Sequence, residues 1–237
     1  MTFKERFFLN FIKDSRWHYL TDGLLVTLEV TFFAVLLGIV IGVIIAGIRS
    51  THDKLIDRTR SGFGKFVLKL FNSIANIYLT VIRGTPVTVQ LMIAYYVIFV
   101  TSNNKVLVAV LAFGINSGAY VAEIVRSGIM SIDEGQTEAD RSLGLNYIKT
   151  MFYIVLPQTF KNVLPALANE FIVLLKETSV CGYVALQDLT RGGDIIRGRT
   201  YDAFFPLLAV AAIYLIMVMV FSKFVTILER RLRKSER

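Results

Sequence analysis

The chain alternates long apolar stretches with short charged segments. A helix needs about 20 apolar residues to cross a hydrocarbon core about 30 Å thick. The stretches with roughly this length are Val30–Ile48, in a helix that begins near Tyr19, Phe66–Ile82 continued by Val87–Val100, Val106–Met130, Met151–Leu175 and Ala203–Ser222. The pattern therefore predicts an all-α integral membrane protein with five transmembrane helices.

Two of these stretches contain helix-breaking residues. Proline has no backbone N–H and clashes with the preceding turn, so Pro86 is expected to kink the second helix or to start its second half. The fourth stretch is the least lipid-like of the five, because it is interrupted by Pro157, Lys161, Pro165 and Glu170.

The first span carries small residues at a close-packing spacing. Gly38 and Gly42 form a small-xxx-small pair, which lets helix backbones approach one another. This stripe is expected to pack within the subunit or against a second subunit.

Residues 1–18 form a separate amphipathic region. Apolar residues with helical spacing alternate here with charged ones, and the charges break the continuous apolar core that a signal peptide requires. An interfacial amphipathic helix is therefore expected. It precedes a transmembrane domain over 19–231 and a basic cytoplasmic tail over 232–237.

Composition supports the membrane class and explains the charge. Hydrophobic residues make up 54% of the chain and charged residues 19%, far from the balance of a soluble domain. The net charge of +8 would suit nucleic acid, but the basic residues flank the apolar stretches, where they meet lipid headgroups. We therefore expect membrane lipid, and no nucleic acid, as a partner. Cys181, His18 and His52 have no metal-ligand spacing, so no metal site is predicted.

The basic residues also predict orientation, because excess lysine and arginine remains on the cytoplasmic side. Five spans and a basic chain end place the C-terminus inside and the N-terminus outside. Segments 49–69 and 131–150 are then cytoplasmic. The N-terminal region and segment 176–202 face outward although each carries four lysines or arginines, which runs against the rule.

One charged segment, residues 131–150, interrupts the apolar pattern, and we call it the island. Its acidic residues alternate with apolar ones, as in a short helix with one solvated face. Ser131 and Glu134 have the spacing of a capping box, and Gly144 suits the position just past a helix end. Spacing alone favours an ordinary solvated loop between two membrane helices. The alternative is a helix that docks into a partner.

An ordered series of motifs supports the docking alternative. The polar amino-acid permeases of ATP-binding-cassette (ABC) importers carry a loop signature of Glu-Ala-Ala, three residues, Gly, nine residues and Ile-x-Leu-Pro. The matching residues here are Glu138, Ala139, Asp140, Gly144, Ile154, Leu156 and Pro157. Further matches are Arg83-Gly84-Thr85-Pro86 with Gln90, the run 118–123, Asn169-Glu170 and Lys176-Glu177-Thr178-Ser179. The chain therefore resembles this family from Thr21 to Arg231, and Asp140 is the one departure from the signature.

The resemblance implies a type I ABC importer-like permease in the cytoplasmic (inner) membrane of a prokaryote. The island would be a cytoplasmic coupling helix between the third and fourth spans that docks on an ABC ATPase dimer. The docking residues would be Glu134, Gly135, Glu138, Ala139, Asp140, Leu143 and Gly144. A second permease subunit, identical or homologous, and an extracytoplasmic solute-binding protein would complete the importer.

The chain has no Gly-x-x-x-x-Gly-Lys-Ser/Thr loop, which would bind the phosphates of a nucleotide. ATP and Mg are therefore expected in the partner ATPase, with no cofactor and no enzymatic activity in this chain. A membrane-embedded enzyme is disfavoured further, because neither Gly-x-Ser-x-Gly nor His-Glu-x-x-His occurs. The remaining alternative is an ion-coupled secondary amino-acid transporter, which usually has an internal repeat that we do not find in the hydrophobic pattern.

Polar residues within the spans are the candidates for the substrate pathway, because a charge at mid-membrane costs about 2.5 to 3.5 kcal/mol. An amino acid presents an ammonium and a carboxylate, which need acceptors and donors. An equal alternative pairs Glu123 with Arg126, three residues along the same helix, and Lys176 suits an exposed rim equally well. The pathway candidates are Asn116, Glu123, Asn169, Glu170 and Lys176.

The residues before the second half of the second stretch are a candidate gate or kink. Arg83 is expected to pair with a carboxylate or to cap a neighbouring helix, since an arginine near the membrane interior needs a partner. The gate or kink candidates are Arg83, Gly84, Thr85 and Pro86.

Overall fold

The computed structural model describes residues 2–56, 59, 62–133, 135 and 146–234. Within these ranges the chain is mostly helical and contains no strand, which confirms the all-α prediction. In chain order the α-helices are α1 (Phe3–Phe7), α2 (His18–Leu55), α3 (Phe63–Arg83), α4 (Val87–Ile93), α5 (Lys105–Met130), α6 (Tyr147–Thr150), α7 (Leu156–Glu177), α8 (Leu189–Thr200) and α9 (Phe204–Lys234).

Four of the described helices are long and apolar enough to cross a membrane, namely α2, α3, α5 and α9. α4 and the π-helical turn that follows it form a shorter apolar helix, Val87–Ile98. α7 has 22 residues, but it is not among the four, which agrees with its interruption by prolines and charges. The first and last apolar stretches each belong to a longer helix than the apolar residues alone define.

The close packing of α2 against α5 lies at the centre of the bundle. A Cβ placed on Gly38 of α2 would lie 3.0 Å from the Cβ of Ser117 on α5, and one placed on Gly42 would overlap Val121. The two helices approach this closely because both α2 positions lack a side chain. The small-residue stripe therefore packs within the subunit. The surrounding core comes from α2, α4, α5 and α7 and includes the fully buried Phe113.

The second apolar stretch forms two helices rather than one. α3 ends at Arg83, and the N–H of Gly84 donates to the carbonyl of Thr80 at 3.0 Å. Pro86 has an extended backbone and immediately precedes α4. Because proline cannot supply the N–H that a continuous helix would need, Pro86 starts the second half of the stretch, one of the two expected outcomes.

The segment between α7 and α9 contains a helix that the charge pattern did not predict. Asp188 accepts hydrogen bonds from the N–H groups of Thr190 and Arg191, at 3.1 Å each, and so caps the start of α8. The N–H of Leu189 donates to the hydroxyl of Thr27 on α2 at 3.1 Å. We call the side of the bundle formed by α8 and the starts of α2 and α9 the α8 end, and the opposite side the α6 end.

The N-terminal region is not one continuous helix. α1 is followed by a π-helical turn over Phe8–Ile12 and a 3₁₀ turn over Lys13–Ser15. Asp14 and Ser15 both have a positive φ, 57° and 50°, which redirects the chain into α2. Phe11 is buried against the core of the α8 end, so this region packs on the bundle.

Most of the island lies outside the described residues, including Glu134, Glu138, Ala139, Asp140, Leu143 and Gly144. Gly135 is exposed, and its N–H donates to the carboxylate of Asp133 at 2.9 Å. Ser131 follows the end of α5, where its hydroxyl donates to the carbonyl of Gly128 at 2.8 Å. At the other terminus α9 continues to Lys234, past the expected start of the basic tail at 232.

Candidate functional site

A buried hydrogen bond joins α5 to α7 at the centre of the bundle. The hydroxyl of Ser117 donates to the carboxylate of Glu170 at 2.8 Å. Ser117 is fully buried and Glu170 is 9% exposed. Burial of a carboxylate is costly unless the group is hydrogen-bonded or paired, so this residue is held inside the bundle at an energetic cost that one hydroxyl offsets only in part.

The side-chain amide of Gln90 bridges the break between α3 and α4. Its Nε2 lies 2.7 Å from the carbonyl of Ile82, 3.1 Å from the carbonyl of Thr85 and 2.7 Å from the hydroxyl of Thr85. Its Oε1 accepts a hydrogen bond from Nδ2 of Asn116 on α5 at 3.0 Å. The break leaves helix carbonyls without their usual donors, and Gln90 supplies one while it ties α4 to α5.

Asn116 and Ser117 are adjacent residues of α5, so the two groups of contacts, one to α4 and one to α7, lie at the same level of the bundle and together form one polar set. We call it the central polar line, and it consists of Thr85, Gln90, Asn116, Ser117 and Glu170. It offers amide and hydroxyl groups that donate or accept, together with one carboxylate that only accepts when ionised. Such a set suits a small solute that carries both an ammonium and a carboxylate.

Ion pairs lie between the central polar line and the α6 end. Arg83 pairs with Glu123 at 2.8 Å, and Arg49 lies 4.0 Å from the same carboxylate. Arg126 pairs with Asp53 at 2.7 Å. The alternative that pairs Glu123 with Arg126 along α5 is therefore wrong, because each residue has a partner on another helix. The expectation that Arg83 pairs with a carboxylate is confirmed.

A cavity of about 510 Å³ runs between α5 and α7 on the α6 side of the Ser117–Glu170 contact. Its polar lining includes Glu123, Ser127, Ser131 and Asn162. The amide of Asn162 donates to the hydroxyl of Ser131 at 3.2 Å, which links α7 to the end of α5. A groove with several polar side chains therefore lies between α5 and α7 and reaches Ser131, at the start of the island.

The structure groups only some of the predicted pathway residues. Asn116 and Glu170 belong to the central polar line, and Glu123 lines the adjoining cavity. Asn169 and Lys176 are exposed, and their spacing of seven residues puts them on one side of α7. They do not join the central polar line.

Sequence reasoning missed two residues of the central polar line. Ser117 follows Asn116 within an otherwise apolar part of α5, and Gln90 lies within the apolar stretch Val87–Val100. Isolated polar residues inside such stretches were the available signal. Among the described residues, no three His, Cys, Asp or Glu side chains group together as a metal ion would require.

Comparison with known proteins identifies the family. Residues 62–234 match the family described as "Binding-protein-dependent transport system inner membrane component". A putative glutamine transport system permease protein of Rickettsia typhi is 37% identical over 217 residues, which cover 90% of this chain and 93% of the relative. The arginine transport system permease protein of Bacillus subtilis is 33% identical over 221 residues, which cover 92% and 94%.

A solved structure agrees with both. The crystal structure of an amino acid ABC transporter with histidines matches with a TM-score of 0.79 and 41% identity over 93% of this chain and 98% of its own. These relatives are transport permeases rather than enzymes, and they give no support to the ion-coupled alternative. The chain is a multi-pass inner membrane protein and belongs to the family of inner membrane components of binding-protein-dependent transport systems.

Proposed function

We propose that this chain is the permease subunit of an ABC importer that translocates a polar amino acid by alternating access. The observation that carries the proposal is the central polar line, a set of donors and acceptors that crosses an apolar bundle in a chain of this family. The names of the relatives, which refer to glutamine and arginine transport, support an amino acid as the solute.

In this mechanism the carboxylate of Glu170 accepts hydrogen bonds from the ammonium group of the solute. Ser117 now donates the hydrogen bond to that carboxylate, and an arriving ammonium would replace or join it with a stronger charge-assisted bond. The amides of Asn116 and Gln90 would meet the solute's carboxylate or its polar side chain. The cost of a charge at mid-membrane, about 2.5 to 3.5 kcal/mol, then has a functional reason.

Alternating access follows from the position of the island between α5 and α7. These two helices carry Ser117 and Glu170, and the polar cavity lies between them. A displacement of the island by a closing ATPase would change their separation, and with it access from the α6 side. The break over Arg83, Gly84, Thr85 and Pro86 is the proposed hinge or gate of the adjoining wall.

We propose five transmembrane helices per subunit, with the α3–α4 pair as the second and α7 as the fourth. The N-terminus is placed outside and the C-terminus inside, because the α6 end carries the basic end of α9. Four arginines of the α8 end have local partners: Arg6 pairs with Asp202, Arg16 with Asp14, and Arg191 and Arg197 share Asp194. This pairing lowers the net charge of that surface, but the positive-inside rule counts lysines and arginines rather than net charge, so the proposed orientation rests on the basic end of α9.

The partners follow from the same arrangement. A cytoplasmic ABC ATPase dimer would bind ATP and Mg and would dock on the island through Glu134, Gly135, Glu138, Ala139, Asp140, Leu143 and Gly144. An extracytoplasmic solute-binding protein would deliver the amino acid, and a second permease, identical or homologous, would complete the pathway. The chain itself is proposed to hold no cofactor and no metal, and to catalyse no reaction.

The test is uptake by proteoliposomes that contain the complete transporter with its ATPase and binding protein. Glu170→Gln is expected to lower uptake about tenfold or more, because the amide is neutral and forms weaker hydrogen bonds with an ammonium. Glu29→Gln is the matched control, since Glu29 is an exposed glutamate on α2. Subunit assembly is measured in both variants. Unchanged uptake kinetics in assembled Glu170→Gln transporter would remove Glu170 from the pathway.

A further inference from the structure

The inner face of the N-terminal region is fixed to the turn between α8 and α9. The guanidinium of Arg6 donates to both carboxylate oxygens of Asp202, at 2.9 and 2.8 Å. Nδ2 of Asn10 donates to the same carboxylate at 3.0 Å, and its Oδ1 accepts from the hydroxyl of Thr200 at 2.8 Å. Asn10 is fully buried. Arg6 and Asn10 lie four residues apart, so they define one face of this region.

The opposite face is apolar and exposed. Phe8 and Ile12 each lie two residues beyond Arg6 and Asn10, which puts them on the other side of the helical turns. Phe8 is 55% exposed and Ile12 is 50% exposed. No described residue covers this face. An exposed apolar patch is typical of a site that contacts a membrane or another protein.

The N-terminal region also packs against the start of α9, which carries exposed apolar residues of its own. The ring of Phe3 packs on the ring of Phe205 with a centroid distance of 5.0 Å. Phe204, Leu207 and Leu208 at the start of α9 are all exposed. Because α9 is long and apolar enough to cross the membrane, lipid chains are the natural neighbours of these side chains.

Charged and aromatic residues mark the depth of this surface. Lys4 and Lys13 are exposed on the N-terminal region, where they would meet lipid phosphates. Trp17, at the start of α2, is 44% exposed, and tryptophan favours the level of the headgroups. The combination of apolar face, lysines and tryptophan is that of a segment lying in the interface.

We infer that residues 3–17 are an interfacial anchor that inserts Phe8 and Ile12 into the membrane surface at the α8 end. Arg6 and Asn10 then hold the turn between α8 and α9 at that depth. The partner is therefore the lipid surface itself. The turn that the anchor holds, between α8 and α9, lies within residues 62–234, the part of the chain that matches the transport family. The inference does not depend on which solute is transported.

Trp17 is the single tryptophan of the chain, so fluorescence quenching can report depth directly. The unmodified protein and two single-tryptophan variants, Trp17→Phe with Phe8→Trp and Trp17→Phe with Leu215→Trp, are reconstituted in phosphatidylcholine vesicles. The vesicles contain lipids brominated either near the headgroup end or near the terminal methyl end of the acyl chains, and iodide serves as the aqueous quencher. Leu215 is exposed within α9 and provides the deep control.

Trp17 and the tryptophan at position 8 are expected to be quenched about twofold more strongly by shallow than by deep bromines, as interfacial residues should be. The control at position 215 should show the reverse order. Quenching of the position 8 probe by iodide alone would place this face in water, and protection from all three quenchers would mean that protein covers it. Either result, or quenching as deep as the control, would overturn the inference.

The hydrogen bonds from Arg6 and Asn10 to the turn between α8 and α9, which we call the clasp, can be tested separately by hydrogen exchange. Phe8→Asp with Ile12→Asp removes the insertion but leaves Arg6 and Asn10 in place. Amide hydrogen exchange over residues 200–204 is expected to become about tenfold faster in vesicles, because local opening then requires no withdrawal from lipid. The matched control is Thr2→Asp with Ser15→Asp, two exposed positions, which adds the same two charges but keeps the apolar face, Lys4 and Lys13, and should leave exchange within about twofold of the unmodified protein. Unchanged exchange in the Phe8 and Ile12 variant would overturn the clasp.

Discussion

Two carboxylates in different parts of the molecule show how the same group is used for different purposes. Asp202, at the α8 end, accepts two hydrogen bonds from Arg6, one from Asn10 and one from the N–H of Phe204. Glu170, at the centre, accepts one from Ser117. An ionised carboxylate has about four acceptor positions, so Asp202 is saturated and Glu170 is not.

The difference separates a structural carboxylate from one that is available to a ligand. The guanidinium of Arg6, mainly through its hydrogen bonds, lowers the pKa of Asp202 to about 2, which keeps the group charged and attached. No cation of the described residues pairs with Glu170. A cationic group that enters the bundle would therefore find an acceptor with unused capacity.

The largest expected effect on stability comes from the saturated carboxylate. Asp202→Ala removes four hydrogen bonds at once and leaves Arg6 and Asn10 without their partner. The apparent melting temperature of the purified protein in detergent should fall by about 5–10 °C. Glu170→Gln should change it by less than about 3 °C, because the amide oxygen still accepts from Ser117.

The pH dependence sharpens the same comparison. A folded-state pKa of about 2 means that Asp202 stabilises the fold fully above its ordinary pKa near 4 and loses this contribution as the pH falls toward 2. The difference between Asp202→Ala and the unmodified protein should therefore persist from pH 7 to pH 5. If Glu170→Gln melted as early as Asp202→Ala, Glu170 would be structural and the contrast between the two groups would fail.

Local patterns predicted the elements that depend on near neighbours along the chain. The apolar stretch that begins near Tyr19 predicted the start of α2, and Pro86 predicted the start of a new helix. Both follow from hydrophobic periodicity and from the missing N–H of proline, which act within a few residues. The pairing of Arg83 with some carboxylate followed from the cost of an unpaired charge.

Which groups meet across the bundle could not be predicted in the same way. Glu123 pairs with Arg83 and Arg126 pairs with Asp53 because α2, α3 and α5 bring them together, although Arg126 lies closer to Glu123 along the chain. α8 looked like a loop because its residues are polar and basic. It is helical because Asp188 caps its start, a local signal that the charge pattern obscured, and because it packs on α2, which only the tertiary structure specifies.

A smaller loss of stability is expected when Gln90, whose side chain is hydrogen-bonded at both its nitrogen and its oxygen, is replaced at the centre of the bundle. Gln90→Leu leaves the carbonyls of Ile82 and Thr85 without their amide donor and releases Asn116. One unsatisfied buried group costs about 1–3 kcal/mol, so the melting temperature should fall by about 3–5 °C and uptake should fall with it. Val89→Leu, an exposed neighbour on α4, is the control. Normal stability and uptake in Gln90→Leu would separate the helix break from the transport site.

The smallest effect concerns a second carboxylate of the α8 end that has no cationic partner among the described residues. Burial raises the pKa of Asp188 to about 6 even though the N–H groups of Arg191 and Thr190 oppose the shift. A raised folded-state pKa stabilises the fold below the ordinary value near 4, and this contribution is lost as the pH rises through 6.

Between pH 5 and pH 6 the loss from Asp188 is about 1 kcal/mol, or about 3 °C in melting temperature. Asp188→Asn keeps a capping oxygen at the start of α8 but cannot ionise, so its melting temperature should lack this fall with pH. The exposed Asp22 on α2 provides the control, and Asp22→Asn should retain the slope of the unmodified protein. An equal slope of melting temperature against pH in Asp188→Asn would mean that Asp188 does not cause the pH dependence. The stability of the α8 end would then depend on paired charges such as Asp202 with Arg6.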